Sequence, residues 1–283
     1  MQTKLFAVLA ATLLQGPAAF AQPVIVDAVQ YPAWLERGGR AVPLTPGTPL
    51  EPRDRLRTGA NARVQLKLPE GSAVKLGENA QFVIERAEDR GVFRAALSVI
   101  AGAFRYTTGI YGAGGRRDVA IKVKNVTVGI RGTDLWGKST ADRDWVVLLE
   151  GKISVGSEGS PTVELEQPLD WYQKPRGAAP EIARADRKLV EEWARETEIS
   201  GEGAGARTGG RWRTVAAAKP SRDDAMALSR SLRAAGFPSE VVAKEGYFIV
   251  QVPGLAGEGE ARALMSSIRG IAGVAQPTVH EGP

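Results

Sequence analysis

Between Val24 and about Lys174 the sequence is written with a period of two. Ala62-Arg63-Val64-Gln65-Leu66-Lys67-Leu68 alternates apolar and polar side chains without a break. Val74 and Leu76, Phe82 and Ile84, and Val146 and Leu148 repeat the alternation. A pleated strand sends successive side chains to opposite faces, so this pattern predicts strands with one face buried. Turn residues punctuate it at intervals of about ten residues: Pro69-Glu70-Gly71, Gly77-Glu78-Asn79, Asp89-Arg90-Gly91 and Glu150-Gly151. No helix-period segment intervenes. The expectation is a mainly β unit over residues 22–174, built as an antiparallel sandwich, barrel or solenoid. The 33 glycines of the chain suit a fold with many tight turns.

The pattern changes after Lys174. Ile182, Leu189, Val190 and Trp193 fall on one face at helical spacing, which predicts an amphipathic helix over 181–199. Ser200 to Gly210 (SGEGAGARTGG) has the composition of a flexible linker. A second unit over 211–283 reads β-α-β-β-α-β. Trp212 to Ala217 is strand-like, Ser221 is a helix N-cap, and Ala225, Leu228, Leu232 and Ala235 form an inner stripe ended by Gly236. Val241-Val242 opens a second strand, and Gly246 turns the chain into Tyr247 to Val252. Ala261, Leu264 and Ile268 mark a second helix ended by Gly270, and Val274 to Val279 a last strand. That order predicts a four-stranded antiparallel sheet with both helices on one face and the other face open.

The first 21 residues read as a cleavable signal peptide. Lys4 supplies the positive end, Leu5 to Leu14 is apolar but for Thr12, Gly16-Pro17 breaks any helix, and Ala19-Phe20-Ala21 is an A-x-A cleavage site before Gln22. The apolar run falls short of the roughly 20 residues that span a bilayer. A soluble periplasmic protein is expected, without stable membrane insertion after cleavage. Absence of Cys removes disulfides, thiolate metal sites and a lipidated N-terminal Cys. The formal charge of +5 is small against 37 basic and 32 acidic side chains mixed along the chain, and reads as a solvated surface.

Few motifs carry chemistry. Gly132-Thr133-Asp134-Leu135-Trp136-Gly137-Lys138-Ser139 satisfies GxxxxGK[ST], but a phosphate loop needs a helix after it. Here Thr140 to Asp144 and a strand follow, so the expected form is a hairpin. His280 is the only histidine and reads as a solvated tail residue, which leaves no parts for a Ser-His-Asp triad or a multi-His metal site. Asp142/Asp144 reads as turn chemistry, and Asp223/Asp224 as the first turn of a helix. Gly109 to Gly115 with Arg116-Arg117 has the parts of an anion nest but reads as a loop between strands. No catalytic, cofactor or metal residues are nominated.

Two resemblances follow. Gly47-Thr48-Pro49-Leu50, Asp54 to Gly59, Ala62 to Leu66, Gly102-Ala103-Phe104-Arg105, Val128 to Asp134 and Leu149 to Ile153 resemble the FecR domain, with Ile130-Arg131-Gly132-Thr133-Asp134 as the most specific string. The resemblance covers about Val24 to Trp171 and implies an extracytoplasmic β domain of interaction type. FecR regulators carry a cytoplasmic segment and a membrane helix ahead of it and contact a sigma factor. The segment before Val24 is of signal type, so that contact is not carried over. The tail is similar to SPOR domains at Trp212 to Val215, Ala225, Leu228, Leu232 to Phe237 and Gly246 to Val252. SPOR domains bind glycan strands freed of stem peptides on the open sheet face. Where that family has Gln, Phe and Arg, this chain has Val215, Lys219 and Ile249.

The leading expectation is therefore a non-catalytic envelope protein that holds peptidoglycan through Arg213, Val215, Tyr247, Ile249 and Gln251, with Phe248, Val250 and Val252 turned inward. An envelope protein is the expected partner of the FecR-like unit. The alternative is a FecR-type periplasmic sensor or regulator. Nucleic acid is disfavoured, because the strands lack the paired aromatics of RNA-binding sheets.

Overall fold

A computed structural model describes residues 23–89, 92–109, 116–200 and 202–282. The signal segment and the centre of the Gly109–Gly115 loop lie outside the described residues. The first half of the β unit comprises β1 (Val24–Gln30), β2 (Ala33–Arg37), β3 (Arg40–Pro43), β4 (Pro49–Leu50), β5 (Arg55–Thr58), β6 (Arg63–Lys67), β7 (Ala73–Leu76), β8 (Gln81–Asp89) and β9 (Val92–Thr107). The second half comprises β10 (Arg116–Val123), β11 (Val126–Ile130), β12 (Asp134–Ser139), β13 (Arg143–Glu150), β14 (Ile153–Ser157), β15 (Val163–Leu165), β16 (Asp170–Pro175) and β17 (Glu181–Arg184).

These strands form two layers that share β9. One runs β3-β2-β5-β8-β9-β10-β11-β14-β15. The other runs β1-β6-β7-β9-β12-β13-β16-β17. The first half of β9 pairs with β8, and residues 104–107 pair with β7. Gly102 sits at the crossing with φ +84°, and a Cβ there would lie 2.5 Å from the Ala80 Cα. The alternating apolar sets face each other, Phe82, Ile84, Leu97, Val99, Ile121 and Val128 against Val64, Leu66, Val74, Phe104, Leu135 and Leu148, all buried. A sandwich is one of the three forms the pattern left open, and it departs from the expected antiparallel pairing at one place: β9 and β10 are parallel. A period of two reports which face a residue takes and carries no information on strand direction.

The predicted helix over 181–199 is a strand followed by a shorter helix. Ile182 lies in β17 opposite Tyr172 and is exposed. Helix α1 (Arg187–Arg195) begins at Asp186, whose carboxylate accepts from the N–H groups of Lys188 and Leu189. Of the four expected anchors only Val190 and Trp193 turn inward. They cover the outer side of the second sheet, where Trp136, Trp145 and Val147 point away from the main core. Trp193 stacks on Trp136 with centroids 5.3 Å apart and on Trp171 at 6.1 Å.

The described residues of the expected linker over 200–210 are packed against the β unit. β18 (Gly205–Arg207) pairs with β1, placing Ala206 opposite Val29. Ala204 and Ala206 are buried. Gln30 donates from Nε2 to the Asn61 carbonyl at 2.5 Å and accepts the Ser200 N–H at 3.3 Å. A Cβ on Gly203 would sit 2.1 Å from the Gln30 Cδ. Glycine serves close approach here, which composition alone does not separate from flexibility.

The tail follows the predicted order: β19 (Trp212–Lys219), α2 (Arg222–Ala234), β20 (Glu240–Lys244), β21 (Tyr247–Leu255), α3 (Glu258–Ile268) and β22 (Thr278–Glu281). Its strands run antiparallel in the order β20-β21-β19-β22. Ala225, Leu228, Leu232, Ala261, Leu264 and Ile268 bury the helices in one core with Val250 and Val252. The last strand starts later than predicted. The two units touch directly: β18 pairs with β21 at Ala206–Leu255, the Trp34 Nε1 donates to the Ala234 carbonyl at 3.2 Å, and Tyr31 meets Phe237 edge-on at 6.4 Å.

The GxxxxGK[ST] string lies on β12 and leads by a turn into β13. Lys138 pairs with Glu196 of the α1 end at 2.7 Å, and the Ser139 hydroxyl donates to Asp144 at 2.7 Å. Asp144 is fully buried, accepts the Asn125 N–H at 3.2 Å and takes both terminal nitrogens of Arg176. Removing one partner of a buried pair strands the other charge. Asp144 is fully buried and Arg176 only half-buried, so it is Arg176→Ala that leaves a buried charge without its cation, and it should cost about 3–5 kcal/mol in urea unfolding. Lys138→Ala, which breaks a partly exposed pair, should cost less than ~1 kcal/mol.

Burial pushes the Tyr106 phenol up to about 12, against a weaker opposing effect of its bond to the Ser72 hydroxyl at 3.0 Å. Burial raises Tyr31 as well. An unfolded phenol ionises near ~10. Below that pH both states hold the proton and the contribution is intact. Above it the unfolded state gains by ionising, and stability falls as pH rises through the folded values. Urea midpoints should drop between about pH 10 and 12, and Tyr106→Phe should shallow that drop.

Candidate functional site

The open face of the tail sheet is assembled by strand parity. Across the β20–β21 hairpin, Glu240 stands beside Gln251, Val242 beside Ile249, and Lys244 beside Tyr247. Gln251 stands beside Val215 on β19, and Arg213 beside His280 on β22. Residues opposite one another in a ladder share a face, so these side chains all point away from the helices. They border a concavity of about 490 Å³ lined by Arg213, Val215, Val242, Lys244, Ile249, Gln251 and His280.

Four of the five sequence-predicted residues, Arg213, Val215, Ile249 and Gln251, line this concavity. Tyr247 lies on the same face at the hairpin end, outside the lining, with 53% of its surface exposed. Lys219 is turned aside and donates to the Gly273 carbonyl at 3.2 Å. His280 is solvated as expected but is not a tail residue: it belongs to β22, and its Nε2 lies 2.9 Å from the Thr278 hydroxyl. Val242 and Lys244 were missed. Their signal was available, since alternation from the inward Val241 sends both to the open face.

Chemically the face has an aliphatic floor of Val215, Val242 and Ile249, with Arg213 and Lys244 at its borders. Gln251 donates to Glu240 at 2.8 Å, so that carboxylate is held to one side. Arg211 and Glu281 pair at 2.9 Å on the β22 border. An aliphatic floor with cationic borders suits contact by an apolar group carrying negative charge nearby.

The most specific string of the β unit has another role. Gly132 has φ +71°, and Thr133 donates from its hydroxyl to the Lys152 carbonyl at 2.7 Å. Asp134 takes a fork from Arg105 at 3.0 and 2.7 Å, and Arg105 also reaches Glu198 at 3.2 Å. Asp54, buried, takes a similar fork from Arg37 at 2.7 and 2.5 Å and accepts the Glu51 N–H. Nearby carboxylates hold both guanidiniums above their usual range, chiefly through these hydrogen bonds. Such forks pin strand ends and corners.

Residues 54–154 match the family model described as FecR protein. The β unit carries a FecR domain. The match runs from the start of β5 into β14 and so takes in the shared strand β9. Two crystal structures of an anti-sigma factor candidate from Parabacteroides distasonis ATCC 8503 are similar at 12% identity. One covers 50% of this chain and 64% of its own, with a TM-score of 0.42. The other covers 76% and 89%, with a TM-score of 0.43. No curated protein matches the chain.

Side chains on the open face should be separable from those beneath it. Tyr247→Ala and Ile249→Ser should change the thermal unfolding free energy by less than about 1 kcal/mol. Phe248→Ala removes a ring packed against the helix core and should cost about 2 kcal/mol, short of the ~3–5 of a fully buried ring.

Proposed function

We propose that the chain is a FecR-type regulator of the cell envelope, a non-catalytic periplasmic protein whose FecR domain engages a protein partner. The observation that carries this reading is the family match over residues 54–154, which falls on the strands that build both layers of the sandwich. The chemistry of the matched residues agrees with it. Asp54, Thr133 and Asp134 are spent on forks and corners that fix the shape of a surface. A surface held in fixed shape by such forks suits recognition by a protein partner.

A second reading is favoured by one feature, the open face of the tail with its concavity and exposed Tyr247. On this reading the tail is SPOR-like and holds peptidoglycan glycan strands, which would station the FecR domain at the wall. Glycan contact requires an aromatic or apolar platform for the C–H face of a sugar, and Tyr247 with Ile249 supplies one.

The two readings part experimentally. Loss of a regulator should change transcription of a discrete set of genes under envelope stress, and restoring the full chain should reverse it. An unchanged transcript profile would overturn the regulator. For the glycan reading, the full chain should sediment with amidase-treated sacculi, and Tyr247→Ala should weaken that binding about 5- to 150-fold, the equivalent of ~1–3 kcal/mol. Equal recovery with and without sacculi would exclude it.

A further inference from the structure

We propose that the chain pairs with a second copy of itself along β20, joining two tail sheets edge to edge about a two-fold axis at Val242. This rests on neither functional reading. Among the described residues β20 pairs only with β21. It is a free edge with no proline and an unshifted register, so it lacks two of the usual devices that blunt an edge strand. Val242 is 41% exposed.

The direction of its backbone groups follows from the hairpin. Glu245 and Gly246 have φ +51° and +82°, a two-residue turn of the primed type, and Lys244 stands opposite Tyr247. The residues that close such a turn are a hydrogen-bonded pair. Alternation then commits Glu240, Val242 and Lys244 to β21 and leaves the N–H and C=O groups of Val241 and Ala243 facing outward.

Antiparallel partners directly opposite one another share a face. A two-fold axis between identical strands must therefore pass through a residue, never between two. With the axis at Val242, Val241 stands opposite Ala243 of the second copy, so all the outward backbone groups find partners. Val242 meets its own counterpart. Glu240 stands opposite Lys244 of the second copy, and symmetry forms that ion pair twice. Moving the axis to Val241 or Ala243 loses both. Glu240 uses Oε1 on Gln251 and keeps Oε2 for the lysine. Charges that blunt an edge against its own copy would repel across the axis; these attract.

The edge is short, so the contact falls below the roughly 1,200 Å² of a standard interface and the association should be weak and concentration-dependent. Val242 and Lys244 also border the open face. Pairing would set two such concavities side by side, and two weak sites on one body bind a polymer with a higher effective concentration.

Sedimentation equilibrium of the chain from Gln22 should show a monomer–dimer balance that shifts to monomer with added salt. Glu240→Lys, which places like charges opposite twice, should weaken the dimer by at least about tenfold. Glu240→Lys with Lys244→Glu should restore it. Ala243→Pro removes an outward N–H while sparing the bonds to β21, and should also abolish the dimer; circular dichroism melts verify that each variant folds. The chain has no Cys, so Val242→Cys supplies a lone thiol. At a non-hydrogen-bonded pair the Cα atoms lie about 4.5 Å apart, within the ~4.4–6.8 Å range of disulfides. Mild oxidation should link two V242C chains and leave A243C chains unlinked. A monomer at every concentration with no V242C link, or a dimer indifferent to both Glu240→Lys and Ala243→Pro, would overturn the proposal.

Discussion

One strand has to serve two sheets. β9 gives its first half to one layer and its second half to the other, so the sandwich has no independent halves. The bend falls at Gly102, where Ala80 leaves no room for a side chain. Everything downstream inherits its position from this crossing. β12 pairs with the second half of β9, β13 pairs with β12, and together they carry the buried Asp144 and the outward tryptophans. A change at Gly102 would thus reach the α1 contact, in which the next residue of β9, Ala103, takes part.

The second constraint is the joint between the units. β18 supplies a bridge of only three residues, yet it hydrogen-bonds to β1 and touches β21 at one pair. Gln30 closes the joint from below with its whole amide. Two glutamates extend the same tie. Lys138 pairs with Glu196, Lys75 and Arg105 pair with Glu198, and α1 is thereby held across the outer sheet up to the start of the bridge. An event at the open face of the tail is therefore mechanically near the sandwich, because β21 carries both Ile249 and Leu255. A loose tether would have separated the two.

Much of this was legible in sequence wherever one face of an element is buried. Ala62 to Leu68 and Tyr247 to Val252 declare their strands and their parity, and parity alone gathers Arg213, Val215, Ile249 and Gln251 on one face. What parity does not carry is partner or direction. The parallel pairing of β9 with β10 left no mark. Ile182 read as a helix anchor because its spacing from Leu189 and Trp193 suits a helix, whereas its true neighbour is Tyr172, paired across a ladder. Ser200 to Gly210 read as a tether because glycine for flexibility and glycine for contact have the same composition. His280 read as tail because the strand predicted from Val274 stopped at Val279, one residue short of it.

The contrast between the two units bears on how they can evolve function. In the sandwich, β12 and β13 are buried on both faces, one against the opposite sheet and the other under α1. A substitution on either face meets packed neighbours, so chemistry can change only at edges and corners, and there Asp54 and Asp134 are already committed to forks. The tail sheet is different. Its helices cover one face, and the other carries side chains that support no core. Val215 and Ile249 can change without loss of the scaffold, because the inward set of Val250 and Val252 holds the sheet regardless. The surface of the tail sheet is thus free to drift in chemistry while the FecR domain stays fixed in shape, and the packed joint carries that surface in a set position on the sandwich.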